Sequence, residues 1–243
     1  MQVGAVKWMS AFDCDPSEIG KCIEQRNALQ EEFMNSSRLR IPVSFVNEGL
    51  HGGAPSGTIF PMPVGLGSSW NTNLIREVMQ VVGEEAARIG VDVVFAPVVN
   101  MMTDPRFGRL QEGYSSNPLL TSHLAQAAVR ALQGCAANAT AATCGPNAYL
   151  NASGVGALGK HYAAYGASEG GLNGGPAAIS NRTLHEVFLR PWKAMVRRVS
   201  SSELCSMTHA VCAARACALY TCTSRARCIA CALPLPRSLR PSG

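Results

Sequence analysis

The stretch Val155-Gly156-Ala157-Leu158-Gly159-Lys160-His161-Tyr162 decides how the rest of the chain is interpreted. Its first four residues are typical of a short buried strand, and a lysine and a histidine follow directly. A glycine-rich loop comes next, from Tyr165 to Gly171. Parallel α/β proteins place their binding groups where a strand ends and a loop begins. The stretch therefore predicts a parallel sheet with a binding site at one edge.

Two earlier segments repeat this arrangement of a strand followed by polar side chains. Glu48 follows a predicted strand over 41–46, and Arg106 and Arg109 follow a valine-rich predicted strand over 91–99. A carboxylate, guanidinium groups and the lysine–histidine pair are thus expected at one rim of the sheet. Such a set suits a ligand dense in hydroxyl groups, because the carboxylate accepts hydrogen bonds and the other groups donate them. Each charged hydrogen bond contributes about 1.5–3 kcal/mol.

Helix and strand signals alternate along the first 198 residues. Alternation of this kind predicts a parallel sheet with covering helices. About four strand–helix units are present, whereas a closed barrel needs eight. The predicted elements in chain order are a strand over 3–9, a helix that begins after Asp15, a strand over 41–46, a helix over 72–89, a strand over 91–99, a helix over 117–134, a strand over 155–158, and a helix that begins after Ser180 and that Pro191 should kink or split.

The last 45 residues differ in composition from the rest. The segment 199–243 holds six of the ten cysteines, together with five arginines and one acidic residue, Glu203. We therefore predict two parts, a folded domain over 1–198 and a tail over 199–243 that is disordered or weakly helical. The tail cysteines do not have the paired spacing of a zinc site, and no cofactor or metal is predicted.

The charge distribution argues against nucleic-acid binding. The chain carries a net charge of +5, of which the tail contributes +4, so the folded part is nearly neutral. No apolar run is long enough for a membrane span. The amino terminus lacks the basic start and apolar stretch of a signal peptide, and it is expected to enter a strand directly.

Four N-x-S/T sequons bear on the compartment in which the chain folds. Two of them lie with Cys135 and Cys144 in the small-residue stretch 134–154, which is either a modified, disulfide-closed surface insertion or an unmodified low-complexity loop. The sequons suggest a secreted or lumenal protein, although no signal peptide is recognised, and the localisation stays open. The sequon asparagines are Asn35, Asn138, Asn151 and Asn181.

Each candidate rim residue also has a purely structural interpretation. A carboxylate can cap a turn, arginines can pair with nearby acids, a lysine can lie in solvent and a histidine can be part of the core. In this chain these interpretations apply to Glu48 beside Gly49, to Arg106 and Arg109 with Asp104 and Glu112, to Lys160, and to His161. Their shared position at strand ends favours the binding role.

Several ordered motifs between residues 38 and 198 carry a family resemblance. The main ones are Glu48-Gly49-Leu50-His51-Gly52, Asp104-Pro105-Arg106-Phe107-Gly108-Arg109 with Glu112, Lys160-His161-Tyr162 with Glu169-Gly170-Gly171, and Arg182 to Ala194. With them the sequence resembles glycoside hydrolase family 3, which includes many β-glucosidases and β-xylosidases. The resemblance implies an α/β fold in which residues 1–198 form the first half to two-thirds of a (β/α)8 TIM-like barrel.

The resemblance also implies roles for individual residues. Glu48, Arg109, Lys160 and His161 would hold a β-linked glucose- or xylose-containing ligand, and Arg106 would support its loop without touching sugar. The family more often has aspartate at the position of Glu48, and glutamate there is more similar to the xylosidase-like and some glucosidase branches. The ligand would be an oligosaccharide or glycoside.

Hydrolysis in this family is retaining and uses a carboxylate nucleophile with a second carboxyl as acid/base. The family's nucleophile lies in a Ser-Asp-Trp-like motif, which does not occur in the 243 residues, and its acid/base usually comes from a following domain. The resemblance therefore predicts a sugar-binding rim without catalytic residues. Alternatives are a non-catalytic carbohydrate-binding protein, a truncated gene product without activity, and a rescued site that uses Asp104 or Glu112 with Glu48.

A partial barrel also carries an expectation about stability. An open sheet leaves unpaired strand edges and uncovered apolar strand faces, both of which favour aggregation. We therefore predict that the isolated chain is poorly stable.

Overall fold

Four short parallel strands form one sheet whose order follows the chain. In the computed structural model, residues 5–7, 16–54, 57–135 and 153–198 are described. The strands are β1 (Ala5–Lys7), β2 (Ser44–Asn47), β3 (Val93–Val94) and β4 (Gly156–Ala157). Each strand pairs in parallel with the next, for example Val46 with Val93. The predicted parallel sheet is confirmed. The strands predicted over 41–46, 91–99 and 155–158 were longer than β2, β3 and β4, whereas the ends of the strand predicted over 3–9 lie outside the described residues.

Prolines explain why two strands are shorter than predicted. Pro42 and Pro97 have no N–H group to contribute to a ladder. Beside Pro42, the Val43 N–H bonds to the Gln30 side chain at 3.3 Å instead of to a strand. Beyond Pro97, pairing resumes around Lys160, whose N–H donates to the Pro97 oxygen at 3.0 Å and whose oxygen accepts from Val99 at 2.8 Å. Lys160 is thus anchored to the edge of the sheet.

Helices follow each strand in the predicted order. One short helix, α2, was not predicted, because its sequence Pro-Val-Gly-Leu-Gly-Ser contains two glycines, which are poor helix formers. The helices are α1 (Ile19–Ser36, after a 3-10 turn over Pro16–Glu18), α2 (Pro63–Ser68), α3 (Thr72–Arg88), α4 (Pro118–Leu132), α5 (Asn181–Thr183) and α6 (Arg190–Arg198).

The boundaries of α3 and α4 come from capping residues. The Asn71 side chain accepts from two backbone N–H groups at the start of α3, and Asn117 does the same for α4. Gly90 and Gly134 follow the two helices with φ of +81°, a conformation that side chains disfavour. The predicted boundaries are confirmed to within two residues.

The last predicted helix is split, as Pro191 suggested. The Ser180 side chain accepts from the Thr183 N–H and caps α5. A π-helical turn over Leu184–Phe188 separates α5 from α6. Pro191 has no N–H for the preceding turn, so the helix cannot run through it unbroken.

The core lies between the sheet and the covering helices. Helix α3 packs on α4, and α4 packs on α6. Apolar side chains of α3 and α4 are fully buried, among them Ile75, Met79 and Leu124. The apolar residues of β2, β3 and β4 are buried as well, so the expectation of exposed apolar strand faces is wrong for these strands. The observed fold is mixed α/β with a small parallel sheet.

Some predictions fall outside the described residues. These are the character of the tail over 199–243 and the sequons at Asn138 and Asn151. Cys22 and Cys135 are both disulfide-bonded, and Cys144 lies outside the described part of the chain. Among the helices that the structure describes, none is long and apolar enough to cross a membrane.

Candidate functional site

Glu48 and Lys160 meet at the edge of the sheet where β2 and β4 end. Lys160 Nζ donates to Glu48 Oε2 at 2.5 Å, across 112 residues of sequence. The lysine side chain is 14% exposed and the glutamate 38% exposed, so the pair opens to solvent on the carboxylate side. Lys160 Nζ also lies 5.9 Å from the centre of the Phe95 ring. The prediction that strand ends bring these two residues together agrees with the structure.

His161 lies between Asn100 and Arg109. Its backbone N–H donates to Asn100 Oδ1 at 3.0 Å, and its ring Nδ1 is 3.2 Å from Asn100 Nδ2. On the other side of the ring, Nε2 is 3.4 Å from Arg109 Nη2. The four residues Glu48, Arg109, Lys160 and His161 are therefore contiguous, and we call them the rim cluster.

Arg109 is held on two sides by neighbouring groups. Its Nε and Nη2 donate to the two carboxylate oxygens of Glu112 at 2.6 and 2.7 Å, and its Nη1 donates to the Tyr165 hydroxyl at 2.9 Å. The structural interpretation of Arg109, pairing with Glu112, is thus confirmed. It is compatible with a place in the rim cluster, because the same guanidinium reaches His161.

Asn100 and Tyr165 are parts of the site that the sequence did not single out. Asn100 is 4% exposed and directly follows the valine-rich segment 91–99, so a polar residue at a predicted strand end was the available signal. The Tyr165 ring lies 4.6 Å from the His161 ring, and its hydroxyl donates to Asn173 at 2.6 Å. An aromatic residue inside a glycine-rich loop was the signal for Tyr165.

Arg106 lies apart from the rim cluster. Its side chain is 69% exposed and donates to both carboxylate oxygens of Asp104, at distances from 2.7 to 3.2 Å. The hydrogen bonds from Arg106 lower the pKa of Asp104. Among the described residues, Arg106 therefore acts within its own loop, which suits the supporting role inferred from the resemblance.

The rim cluster combines two cations with a neutral imidazole. Burial, Arg109 and Lys160 lower the pKa of His161 to about 4, whereas Glu112 and Glu48 act in the opposite direction. Hydrogen bonding to Arg109 lowers the pKa of Glu112, and the same bond raises the pKa of Arg109. At neutral pH the cluster therefore offers an ammonium, a guanidinium and an uncharged histidine beside a carboxylate.

The lowered pKa of His161 predicts that acid destabilises the fold. Between pH 6.5 and about 4 the folded imidazole stays neutral, whereas an unfolded chain binds a proton there. The unfolded state then holds more protons, so the free energy of unfolding falls as the pH is lowered through this range. From pH 7 to pH 5, the urea midpoint of unfolding should fall more for the wild type than for His161→Gln. An equal fall in both proteins would contradict the assignment.

The fold and the rim cluster together define a class of protein. Donors and one carboxylate acceptor converge at the carboxyl edge of a parallel sheet, where parallel α/β proteins place their binding sites. Among the described residues, no group of His, Cys, Asp and Glu side chains could hold a metal ion. The chain is an α/β protein with a cluster of charged and polar side chains at this edge of its sheet.

A family model described as the glycosyl hydrolase family 3 N terminal domain matches residues 12–211, and the chain belongs to this family. It is 36% identical over 166 residues to a periplasmic β-glucosidase of Salmonella typhimurium, covering 68% of this chain and 20% of that protein. It is 31% identical over 176 residues to a putative β-xylosidase of Formosa agariphila, covering 72% and 22%. The chain thus spans about a fifth of the length of these relatives.

Solved structures show the same similarity. A β-glucosidase from Listeria innocua in complex with glucose matches with a TM-score of 0.60 and 33% identity, over 69% of this chain and 22% of that one. A β-glucosidase from Erythrobacter marinus matches with a TM-score of 0.69 and 29% identity, over 79% and 24%. The chain therefore shares part of the fold of these two β-glucosidases.

Proposed function

We propose that this chain carries the sugar-holding part of a family 3 glycoside hydrolase, and that the rim cluster binds a β-linked glucosyl or xylosyl unit. The observation that carries the proposal is the contact of Glu48, Lys160, His161 and Arg109 at one sheet edge. Relatives named β-glucosidase and β-xylosidase support the ligand class, as does the relative solved in complex with glucose.

The geometry suits hydroxyl groups better than other ligands. Glu48 can accept hydrogen bonds from adjacent hydroxyls, while Lys160 and Arg109 donate to hydroxyl oxygens. A site of this kind rejects a ligand without hydroxyls, because its own charged groups would lose their water and gain no partner. Glu48 is the more exposed member of its ion pair, so a ligand can reach the carboxylate from solvent.

The proposed fold rests on the same similarity to family 3 glycoside hydrolases. We propose that residues 1–198 form the first half to two-thirds of a TIM-like barrel, with the tail over 199–243 outside it. The parallel strand order β1-β2-β3-β4 and the helices between the strands support this arrangement. In barrels of this type, side chains at the carboxyl ends of strands form the site.

Binding, and not bond cleavage, is what the described cluster offers. Retaining hydrolysis needs a nucleophilic carboxylate and a carboxyl that can donate a proton near neutral pH. Glu112 is unsuited to donate, because Arg109 lowers its pKa, and Asp104 is likewise held by Arg106. Rescue of the site by these acids is therefore not part of our proposal. Together with the lack of a Ser-Asp-Trp motif in the 243 residues, this favours binding without hydrolysis by this chain.

Calorimetry and a hydrolysis assay on the full chain test the two halves of the proposal. Glucose and xylose should give saturable heats, whereas tetrahydropyran, a sugar ring without hydroxyls, should give none. Incubation with 4-nitrophenyl β-glucoside should release no nitrophenol. Heat from tetrahydropyran, or none from either sugar, would contradict sugar binding. Nitrophenol release that Glu48→Gln abolishes would contradict the absence of hydrolysis.

A further inference from the structure

Asn100 has a fixed orientation in the site. Its Oδ1 accepts a hydrogen bond from the His161 backbone N–H at 3.0 Å. Because an N–H can only donate, the amide oxygen must face it, and the amide nitrogen must then face the ring. Asn100 Nδ2 lies 3.2 Å from His161 Nδ1 in this arrangement.

Both ring nitrogens of His161 consequently face hydrogen-bond donors. Asn100 Nδ2 faces Nδ1, and Arg109 Nη2 faces Nε2 at 3.4 Å. A neutral imidazole has one nitrogen that accepts and one that carries a proton. One of the two nitrogens must therefore carry its proton toward a donor, and the surroundings decide which one.

The two sides of the ring differ in access. Asn100 is 4% exposed, so a ring N–H that faced it could not donate a hydrogen bond to an acceptor from outside the protein. The Arg109 side chain is 31% exposed, and an oxygen can enter between it and the ring. A buried donor without an acceptor is destabilising, so the proton is favoured on the open side.

We propose that Asn100 is a positioning residue whose amide fixes His161 in the tautomer that carries its proton on Nε2. His161 Nε2 and Arg109 Nη2 then donate toward one point on the open side of the ring. A single hydroxyl oxygen of the ligand accepts from both groups there. This last step rests on the proposed sugar binding, whereas the tautomer itself does not.

The tautomer can be measured without a ligand. Long-range proton–nitrogen correlation NMR of the full chain, labelled with ¹⁵N-histidine at pH 7, separates protonated from unprotonated ring nitrogens. His51 is an internal reference of opposite type, because its Nδ1 lies 2.9 Å from the Phe60 carbonyl oxygen and must donate to it. Variants His51→Gln and His161→Gln assign the two among the five histidines. We expect the proton of His161 on Nε2 and that of His51 on Nδ1.

Substitution of Asn100 tests its causal role. In Asn100→Asp the carboxylate accepts a bond from Nδ1, so the proton should move to Nδ1 and the ring should titrate at a higher pH. Asn47→Asp is the matched control, because Asn47 is also a buried amide, bonded through Oδ1 to the Glu48 N–H. The control should leave the tautomer of His161 unchanged.

The outcomes separate this inference from the proposed function. A proton on Nδ1 in the wild type would overturn the role of Asn100, and this result does not depend on whether Asn100→Asp folds. An unchanged tautomer in folded Asn100→Asp would overturn it as well. Where the tautomer is as expected, Asn100→Asp should weaken glucose binding about tenfold. If the wild type shows the Nε2 proton but binds no glucose, only the sugar-binding proposal fails.

Discussion

Lys160→Met should weaken glucose binding by about 10- to 150-fold, which corresponds to the loss of a charged hydrogen bond of about 1.5–3 kcal/mol. Methionine keeps most of the apolar side chain and removes the ammonium that contacts Glu48 at 2.5 Å. The ligand then loses a cationic donor, and Glu48 loses the partner that holds its carboxylate in place. Titration calorimetry of the purified variant measures the effect directly.

A second lysine provides the control for this substitution. Lys21 on α1 also forms an ion pair, with Glu18, but both of these side chains are exposed on the surface. Lys21→Met should therefore leave glucose affinity unchanged. Circular dichroism and urea unfolding establish that both variants are folded before binding is measured. A folded Lys160→Met that binds glucose as the wild type does would remove Lys160 from the site.

The largest expected effect on stability comes from Gly53→Ala. Gly53 is buried where the loop after β2 contacts α3, and an added Cβ would lie 2.0 Å from the Val82 backbone oxygen and 3.1 Å from the Ala86 nitrogen. These atoms belong to the backbone of a buried helix, which cannot move aside as a flexible side chain can. Overpacking of this kind costs about 3 kcal/mol or more, a large part of the stability of a typical domain.

Urea unfolding of Gly53→Ala beside Gly20→Ala tests this contact. Gly20 lies in α1, and a Cβ added there meets nothing within 4 Å. Alanine at that position should change the free energy of unfolding by less than about 1 kcal/mol, in the stabilising direction. Equal midpoints for the two variants would show that the loop after β2 does not pack on α3 as described.

Much of the fold could be predicted because its signals are local. Asn117 followed by a proline and an apolar repeat specifies the start of a helix within a few residues of sequence, and α4 begins there. Strand lengths were harder to predict, because a run of valines indicates burial but does not indicate which residues pair with a neighbouring strand. The ladder is interrupted at Pro97, although Val98 and Val99 are as buried as the residues of β3.

The site was predictable only where a residue type and a strand end coincided. Arg106 and Arg109 lie three residues apart in one motif, and nothing in the spacing separates their roles. The 3-10 turn over Pro105–Phe107 and Gly108, with φ of +77°, direct one arginine to solvent and the other to His161. Asn100 also lies at a predicted strand end, but its contact with His161, 61 positions away, is tertiary, and the local pattern does not reveal it.

The contact between Glu48 and Lys160 has a consequence for how the site comes into being. The two residues are separated by 112 positions, and they meet only when β2 and β4 have both docked on β3. Forming the contact closes a long loop, with an entropic cost that grows slowly with loop length. A ligand that bridges the two ends binds only chains in which that loop is already closed. A saccharide that binds the rim cluster as proposed would therefore draw the population toward the assembled sheet by mass action, and would act as a folding ligand.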